Sequence, residues 1–416
     1  MYSRFFQRIS PLYIFIFSFF IISQLGKHFF FHFSYLSGIR IDYLAPTLYF
    51  IDILSLPFIL SSFSYLFSQS NSIKEWIKKN LFIVALFFIL ISINCIFSLS
   101  KPLWLYGIAR LLQFICIFIY VQKNGDKKNF YSAIMGGLLM GAVFELGLAL
   151  MQLSARHSLQ GFWYYLGERR FSIFTPGIAK AYFMGIEFLR PYGTFSHPNS
   201  LGGFYLLVYT FILTQKRITN SVYKGFFLFV SSALILLSFS RTAIAIYILI
   251  NLFYFSKTII ACKVCSLAKI SLSFVLVMFV LNISGDMNSF QKRADFLTKS
   301  ITIISQKPFS GTGIGSYLIA QNTFPQKFST FFEQPVHNIF LLLIAQLGVP
   351  LSILLFTSIF RNIDVIHRKI YVTLPLVCII LTGSVDHYWI TLSQNQLVLV
   401  ILFGILFSYE KKTSRS

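Results

Sequence analysis

An all-α, polytopic membrane fold of about twelve helices is what the residue pattern of this chain predicts. Three observations point to it. Of the 416 residues 56% are hydrophobic and 12% charged, apolar runs recur from end to end, and Lys and Arg gather in alternate connections. So little charge cannot coat a soluble globule. A bilayer crossing needs about 20 apolar residues, close to the length of most of these runs. No stretch is polar and long enough for a separate soluble unit, so residues 1–416 read as a single integral membrane domain.

The runs cover about 11–25, 44–67, 80–98, 103–121, 131–153, 199–215, 225–239, 242–256, 267–284, 338–360, 370–385 and 394–409. The first follows Arg4 and Arg8 as a secretory signal would, but it lacks a small-residue cleavage site and ends in Gly26-Lys27-His28. It therefore reads as a retained helix. With the amino terminus inside, the inner connections carry three basic residues each: Lys74, Lys78 and Lys79; Lys123, Lys127 and Lys128; Lys216, Arg217 and Lys224; Lys257, Lys263 and Lys269; Arg361, Arg368 and Lys369. Lys411, Lys412 and Arg415 put the carboxyl terminus on the same cytoplasmic side. The short outer connections hold Lys27 and Arg40, then Lys101, then Arg241, then no basic residue. Positive charge accumulates on cytoplasmic loops. Merging or splitting any run would invert every later loop, so the alternation supports an even number of crossings.

Two connections are long, about 154–198 between helices 5 and 6 and 285–337 between helices 9 and 10, and both fall outside. They are dense in Pro, Gly and aromatic residues, which predicts ordered, lid-like loops where function concentrates. The net charge of +22 is spread in small groups between apolar runs, a topology signal rather than a nucleic-acid surface. Phe (50 residues) and Tyr (22) suit lipid-facing and interfacial positions. The five cysteines imply no disulfide framework, and Cys262-x-x-Cys265 lacks the second pair a zinc site needs. His28, His32, His157, His197 and His367 show no ligand spacing either, so no protein-held metal is expected.

Charges near membrane depth are costly and therefore informative. Arg190 opens Arg190-Pro-Tyr-Gly-Thr-Phe-Ser-His-Pro-Asn199, just before the sixth helix. Arg241 lies in the outer turn Ser238-Phe-Ser-Arg-Thr242, and His337-Asn338 begins the tenth helix. A guanidinium is a permanent planar cation suited to a pyrophosphate and to the charge that develops as it leaves. An imidazole can take the proton of an attacking hydroxyl. Each alone has a plainer reading, as an interfacial anchor or a helix cap. Together they suit transfer from a phosphate-activated donor.

Asp386-His387-Tyr388-Trp389 lies in the last outer connection, where it can bind substrate or assist the base, or simply join an aromatic belt. Glu145 and Asp52 fall inside apolar runs and should pair within the bundle or line a polar cavity. Gly311-Thr-Gly-Ile-Gly315 reads as a tight turn, since no Lys-Ser/Thr follows it as in a phosphate loop. Arg293, Asp295 and Lys299 predict the solvated face of an amphipathic helix leading into Lys307-Pro308.

Arg190 through Asn199, Ser240-Arg241-Thr242, Lys307-Pro-Phe-Ser-Gly-Thr-Gly-Ile-Gly315 and His337-Asn338-Ile-Phe together resemble the O-antigen ligase and O-antigen polymerase superfamily. The resemblance covers about 130–390, with a ligase-like core at 190–360. It implies a membrane-embedded, GT-C-like glycosyltransferase that needs no metal or cofactor. Such an enzyme moves a glycan from undecaprenyl pyrophosphate to an acceptor hydroxyl at the periplasmic face of the bacterial inner membrane. Carried over by motif, Arg190 and Arg241 would hold the pyrophosphate and His337 would activate or orient the acceptor. Asn338, Thr194 and Asn199 would support them, with Asp386 and His387 added from a pattern found in some members. Lipid A core, a growing glycan and a protein hydroxyl are all possible acceptors in this chemistry. A transporter or flippase of polyprenyl-linked saccharide is the alternative, but internal repeats and midplane charges typical of transporters are not evident. An envelope scaffold would leave the outer Arg and His replaceable.

Overall fold

The computed structural model describes residues 9–183, 186–256, 277–278, 287–325, 327, 333–363 and 370–413. Its helices are α1 (Pro11–Phe20), α2 (Phe50–Ser68), α3 (Ser70–Lys79), α4 (Leu81–Ile96), α5 (Lys101–Asn124), α6 (Lys128–Ala155), α7 (Pro198–Thr214), α8 (Ser221–Leu237), α9 (Arg241–Ser256), α10 (Met287–Gln306), α11 (Tyr317–Gln321), α12 (Ile339–Leu347), α13 (Val349–Ile363), α14 (Ile370–Gly383), α15 (Tyr388–Thr391) and α16 (Ser393–Thr413). Eleven of the predicted runs contain one of these helices. The ninth run apart from residues 277 and 278, the Cys262 and Cys265 pair, His367 and the basic residues Arg4, Arg8, Lys257, Lys263, Lys269, Arg368, Lys369 and Arg415 lie outside the described residues.

The protein is mostly helical, with several apolar helices, as an integral membrane protein requires. Three of them, α2, α5 and α6, are by themselves long and apolar enough to cross a bilayer. The pair α3 and α4, bent by 90°, passes the same test of length and composition when taken together. The Lys-rich α3 buries none of its residues. Helix α5 has Pro102 in its first turn and Gly125 just past its end, the usual start and stop residues.

The structure departs from the all-α expectation in the connections. Three two-stranded antiparallel sheets form at Gly26–His28 with Thr47–Tyr49, at Tyr35–Leu36 with Ile39–Arg40, and at Lys180–Phe183 with Ile186–Leu189. The second run therefore starts as a strand. Pro46 disfavours helix at the residue before it, and hydropathy alone cannot tell a buried strand from a helix. After α1 the chain unwinds, and the freed Ile22 carbonyl finds two partners, the Thr194 hydroxyl at 2.5 Å and the Gln394 side-chain amide.

The tenth run is also two helices rather than one. Gly348, with φ 79°, separates α12 from α13. A Cβ on Gly348 would lie 2.4 Å from the Phe309 carbonyl, so the break is packed against the 308–313 turn. The Gln346 carbonyl near the end of α12 accepts Asn94 Nδ2 at 2.7 Å and Gly313 N at 3.0 Å. Helix α12 thus reaches the outer ends of α4 and α5, and α13 turns back against α4.

Helix α7 is the centre of the bundle, buried along nearly its whole length and packed on α8, α9, α14 and α16. Gly203 lets Tyr388 approach it, since a Cβ there would lie 2.1 Å from the phenol oxygen. That close contact brings the 384–391 connection to the start of α7. Here the candidate residues meet.

Candidate functional site

The 190–199 loop is held from inside the bundle. Gln152 of α6 accepts Tyr192 N at 3.0 Å and Gly193 N at 2.8 Å, and donates to Gly193 O at 3.0 Å. Glu145 accepts Thr194 N at 3.1 Å and its hydroxyl at 2.5 Å. Gly193, with φ 57°, fits because a Cβ would lie 1.9 Å from the Glu145 carboxylate. Glu145 therefore pairs within the bundle. Thr194 is fully buried in this network and faces Glu145 and Ile22, so its place in the site is that of a support for the 190–199 loop. Its short hydroxyl serves backbone as readily as ligand.

Thus fixed, the loop lays Arg190 beside the α8–α9 turn. Arg190 Nε donates to Ser238 O at 3.0 Å and Nη2 donates to Asn199 Oδ1 at 2.7 Å. The turn can present that carbonyl because Phe239 takes a left-handed conformation, φ 47°, at a cost of about 1–2 kcal/mol for a side chain with a Cβ. Asn199 Nδ2 in turn donates to Asp386 Oδ2 at 2.9 Å, and Asp386 Oδ1 accepts His387 N at 2.8 Å. The His337 and His387 rings lie 5.1 Å apart, with Phe296 stacked on His337 at 6.3 Å and Tyr43 edge-on to His387 at 5.7 Å. His387 Nδ1 is 2.8 Å from Thr391 Oγ1. His337 Nδ1 is buried and, among the described residues, has no hydrogen-bond partner.

One chain of contacts therefore runs from Arg190 through Asn199 to Asp386 and the two histidines. Burial alone would push the Asp386 carboxyl up, but His337, His387, His197 and the Asn199 amide together hold it below the usual carboxylate range. Burial pushes His337 well below the usual imidazole range, more than Asp386 lifts it, and His387 and Arg293 push it the same way. His387 is lowered for the same first reason. Burial lowers Arg190 to about 10, which leaves it charged at neutral pH.

Asn338, expected to support the site, caps α12. Its Oδ1 accepts Phe340 N at 2.9 Å and Leu341 N at 3.0 Å, and its Nδ2 donates to Ser384 O at 3.0 Å. It acts by fixing His337 beside the 384–387 connection.

A cavity of about 800 Å³ opens beside these groups. His337, Asp386, His387 and Asn199 line it, as do His197 and Arg110. Arg190 and Arg241 do not line it. Arg190 stands behind Asn199, whereas Arg241 is exposed at the start of α9 and close enough to Arg190 for the two charges to oppose one another. The cations on the cavity's outer wall are Arg169 and Arg170, a dibasic pair in the first long loop that the sequence reading passed over. Arg293 was also missed as a site residue. Its Nε is buried without a partner, and its charge reaches Arg190, His337 and His387.

The expected solvated face of α10 is partly buried. Asp295 pairs with Lys299 at 2.9 Å, their side chains 5% and 8% exposed, and Lys327 joins at 2.9 Å. The 311–315 turn is as tight as expected, with Gly311, Gly313 and Gly315 all at positive φ.

His337, Asp386 and His387 also place donor atoms within 4.8 Å of one another, a spacing open to a metal ion. No sequence spacing signals it, because the members come from two distant connections. Both Asp386 oxygens already accept hydrogen bonds, and the Arg190 and Arg293 charges act on the same cluster. That surrounding positive charge suits an anionic substrate better than a cation.

Residues 226–356, just under a third of the chain, match the family model described as O-antigen ligase. The match supports placing the chain in the O-antigen ligase and polymerase superfamily. It contains Arg241, the 307–315 island, His337 and Asn338, and falls inside the expected 190–360 core. Arg190, Asn199, Asp386 and His387 lie beyond it and join the site through the contacts above. No curated protein and no solved structure matches the chain. At a coarse level the family supports glycan transfer of the ligase or polymerase type at a membrane, with a lipid-linked glycan and an acceptor as substrates.

Proposed function

We propose that this protein is an inverting, metal-independent transferase that moves a glycan from undecaprenyl pyrophosphate to an acceptor hydroxyl at the outer face of the bacterial inner membrane. One membrane domain of about twelve crossings, GT-C-like with both termini cytoplasmic, carries the 190–360 core. The observation that supports it most is His337. It lines a large cavity beside the Asp386 carboxylate, and its buried Nδ1 has no hydrogen-bond partner among the described residues.

Burial keeps this imidazole in its free-base form at neutral pH, so it can accept a proton as the acceptor oxygen attacks the anomeric carbon. Asp386 balances the imidazolium that results. On the opposite face of the sugar the bond to pyrophosphate breaks, and undecaprenyl pyrophosphate leaves. Arg241, exposed to an incoming anion, and Arg190 behind it, with Arg293 nearby, meet the charge that develops. The donor thus lies toward these arginines and the acceptor toward the cavity.

The test incubates purified protein with a lipid-linked oligosaccharide and candidate acceptors, comparing wild type with Arg190→Ala, Arg241→Ala and His337→Ala. Equal product from all four would sink the site assignment. Movement of the saccharide across vesicles without any transfer would favour the transporter reading.

A further inference from the structure

The connection between α1 and α2, residues 21–49, lies outside the family match, yet it supplies a wall of the cavity. It folds as two nested hairpins, Gly26–His28 on Thr47–Tyr49 around Tyr35–Leu36 on Ile39–Arg40. Tyr106 of α5 holds the base, donating to Thr47 O at 3.0 Å and accepting Thr47 N at 3.2 Å. The side chains of Leu36, Ile41 and Leu44 are buried in one apolar cluster with Tyr317 and Leu318 of α11 and with Val336, the residue before His337. The connection is thus clamped between α5 and the segment that carries the proposed base.

What it presents to the cavity is a short 3₁₀ turn, Asp42–Leu44, closed by Ala45 N donating to Asp42 O at 3.1 Å and held by Ser34 Oγ donating to Leu44 O at 2.9 Å. Tyr43, in the middle of the turn, stands edge-on to His387 and keeps 37% of its surface open beside the cavity it lines. Asp42 pairs loosely with Arg40, at 3.5 Å and with both side chains more than half exposed, a contact worth little. Its carboxylate is therefore available to hydroxyl donors. Asp386, Asp42 and Arg169 are all close enough for their charges to act on the Tyr43 phenol. Two carboxylates and one guanidinium thus surround one aromatic ring.

We propose that Tyr43 and Asp42 select the acceptor: an uncharged sugar ring stacks on Tyr43, sets its hydroxyls between Asp42 and Arg169, and presents the attacking hydroxyl to His337. The inference rests on the transferase reading, which sets the acceptor in the cavity and the donor toward Arg190 and Arg241. An aromatic face takes the C–H side of a sugar, while its edge offers a carboxylate that accepts from hydroxyls and a guanidinium that donates to them. A carboxylated or phosphorylated ring in the same place would meet two like charges against one opposite. His387 lies 5.7 Å from Tyr43, and His337 a further 5.1 Å, a span that one sugar ring and its hydroxyl bridge.

The experiment compares two saccharide acceptors that differ at one carbon, a neutral hexoside and the matching hexuronoside. Wild type should use the neutral one at lower KM. Tyr43→Ala should raise that KM about tenfold, equal to roughly 1.4 kcal/mol, with the donor KM unchanged. Tyr43→Phe keeps the ring and should recover most of the loss. Asp42→Asn removes the charge but keeps an acceptor oxygen, and should narrow the preference for the neutral sugar. Tyr35→Ala, on the same connection, exposed and off the cavity, controls for damage to the hairpins. A wild type that uses both acceptors equally, an unchanged preference in Asp42→Asn, or a Tyr43→Phe no better than Tyr43→Ala would overturn the assignment.

Saturation-transfer NMR of the same two saccharides on the detergent-solubilised protein gives a readout that does not need transfer. Irradiating the aromatic protons should saturate the ring C–H protons of the neutral saccharide in wild type and in Tyr43→Phe, and much less in Tyr43→Ala. Equal saturation in wild type and Tyr43→Ala, or none in wild type, would overturn the sugar site whether or not glycan is transferred. The expected pattern in a protein that transfers nothing would uphold the sugar site while ending the transferase reading.

Discussion

Arg110 and Arg190 are built from the same parts and do opposite things with them. Each is a part-buried guanidinium near a carboxylate, a side-chain amide and a serine. Arg110 Nη1 touches Asp52 directly, Gln113 sits alongside contacting both, and Ser393 takes the other nitrogen. Arg190 has its amide in between: Asn199 accepts from the arginine and donates to Asp386. Direct contact neutralises both charges and locks α2 to α5. The interposed amide keeps the carboxylate apart from the guanidinium, free to act on the two histidines. The same composition thus gives a structural ion pair in one place and a polarised relay in the other.

The comparison predicts effects of different kinds. The largest belongs to the relay's end: His337→Ala should lower transfer by about 10²–10⁴-fold, the usual span for a general base, with an unchanged melting curve. Arg190→Ala should lower the rate by about 10²–10³-fold, as for removal of one transition-state donor, again with little loss of stability. Arg110→Ala should do the reverse. It leaves Asp52 buried and unpaired and should cost about 3–5 kcal/mol, seen as a lower unfolding midpoint in detergent. Arg110→Met with Asp52→Leu should recover most of that. If Arg190→Ala destabilises as Arg110→Ala does, the two clusters are alike and the relay idea is wrong.

The pH profile sharpens the same point. His337 is lowered in the free enzyme, so its free base persists on acidification and kcat/KM should stay flat from pH 8 to below about 5.5. An ordinary imidazole would instead lose activity below about 6.5. The smallest effects belong to supporting residues. Asn338→Ala should cost about 0.5–2 kcal/mol as a lost cap, and a chelator should leave the rate unchanged.

Much of the helical layout was legible because hydropathy and basic connections are strong, local signals. What was not legible were strands and breaks inside apolar runs, although Leu347-Gly348-Val349-Pro350 carried a helix stop and start that a hydropathy window averages away. In the site, Arg190, Asn199 and His337 stood out by charge and position at the outer boundary. Thr194 and Asn338 were legible as supporting residues, but that each works by bonding backbone was not, because a short polar side chain beside a motif caps backbone as well as it binds ligand. Arg293 owes its place to packing between distant connections, for which one chain's sequence holds no local mark, and the same packing gives Asp386, a candidate by its outer connection, its partners. Arg169-Arg170 was visible as a dibasic pair in an outer loop and could have been weighed.

Helix α12 has a mechanical consequence. It starts two residues after His337, and in its last turn the Gln346 carbonyl is pinned by Asn94 and Gly313 beside α4. Its nine residues make a strut about 14 Å long between the imidazole and the end of α4. Leu343 and Leu347 on that strut line the cavity. A molecule lodged against them bears on the same short rod that aims the base, so occupancy and alignment are set by one rigid piece.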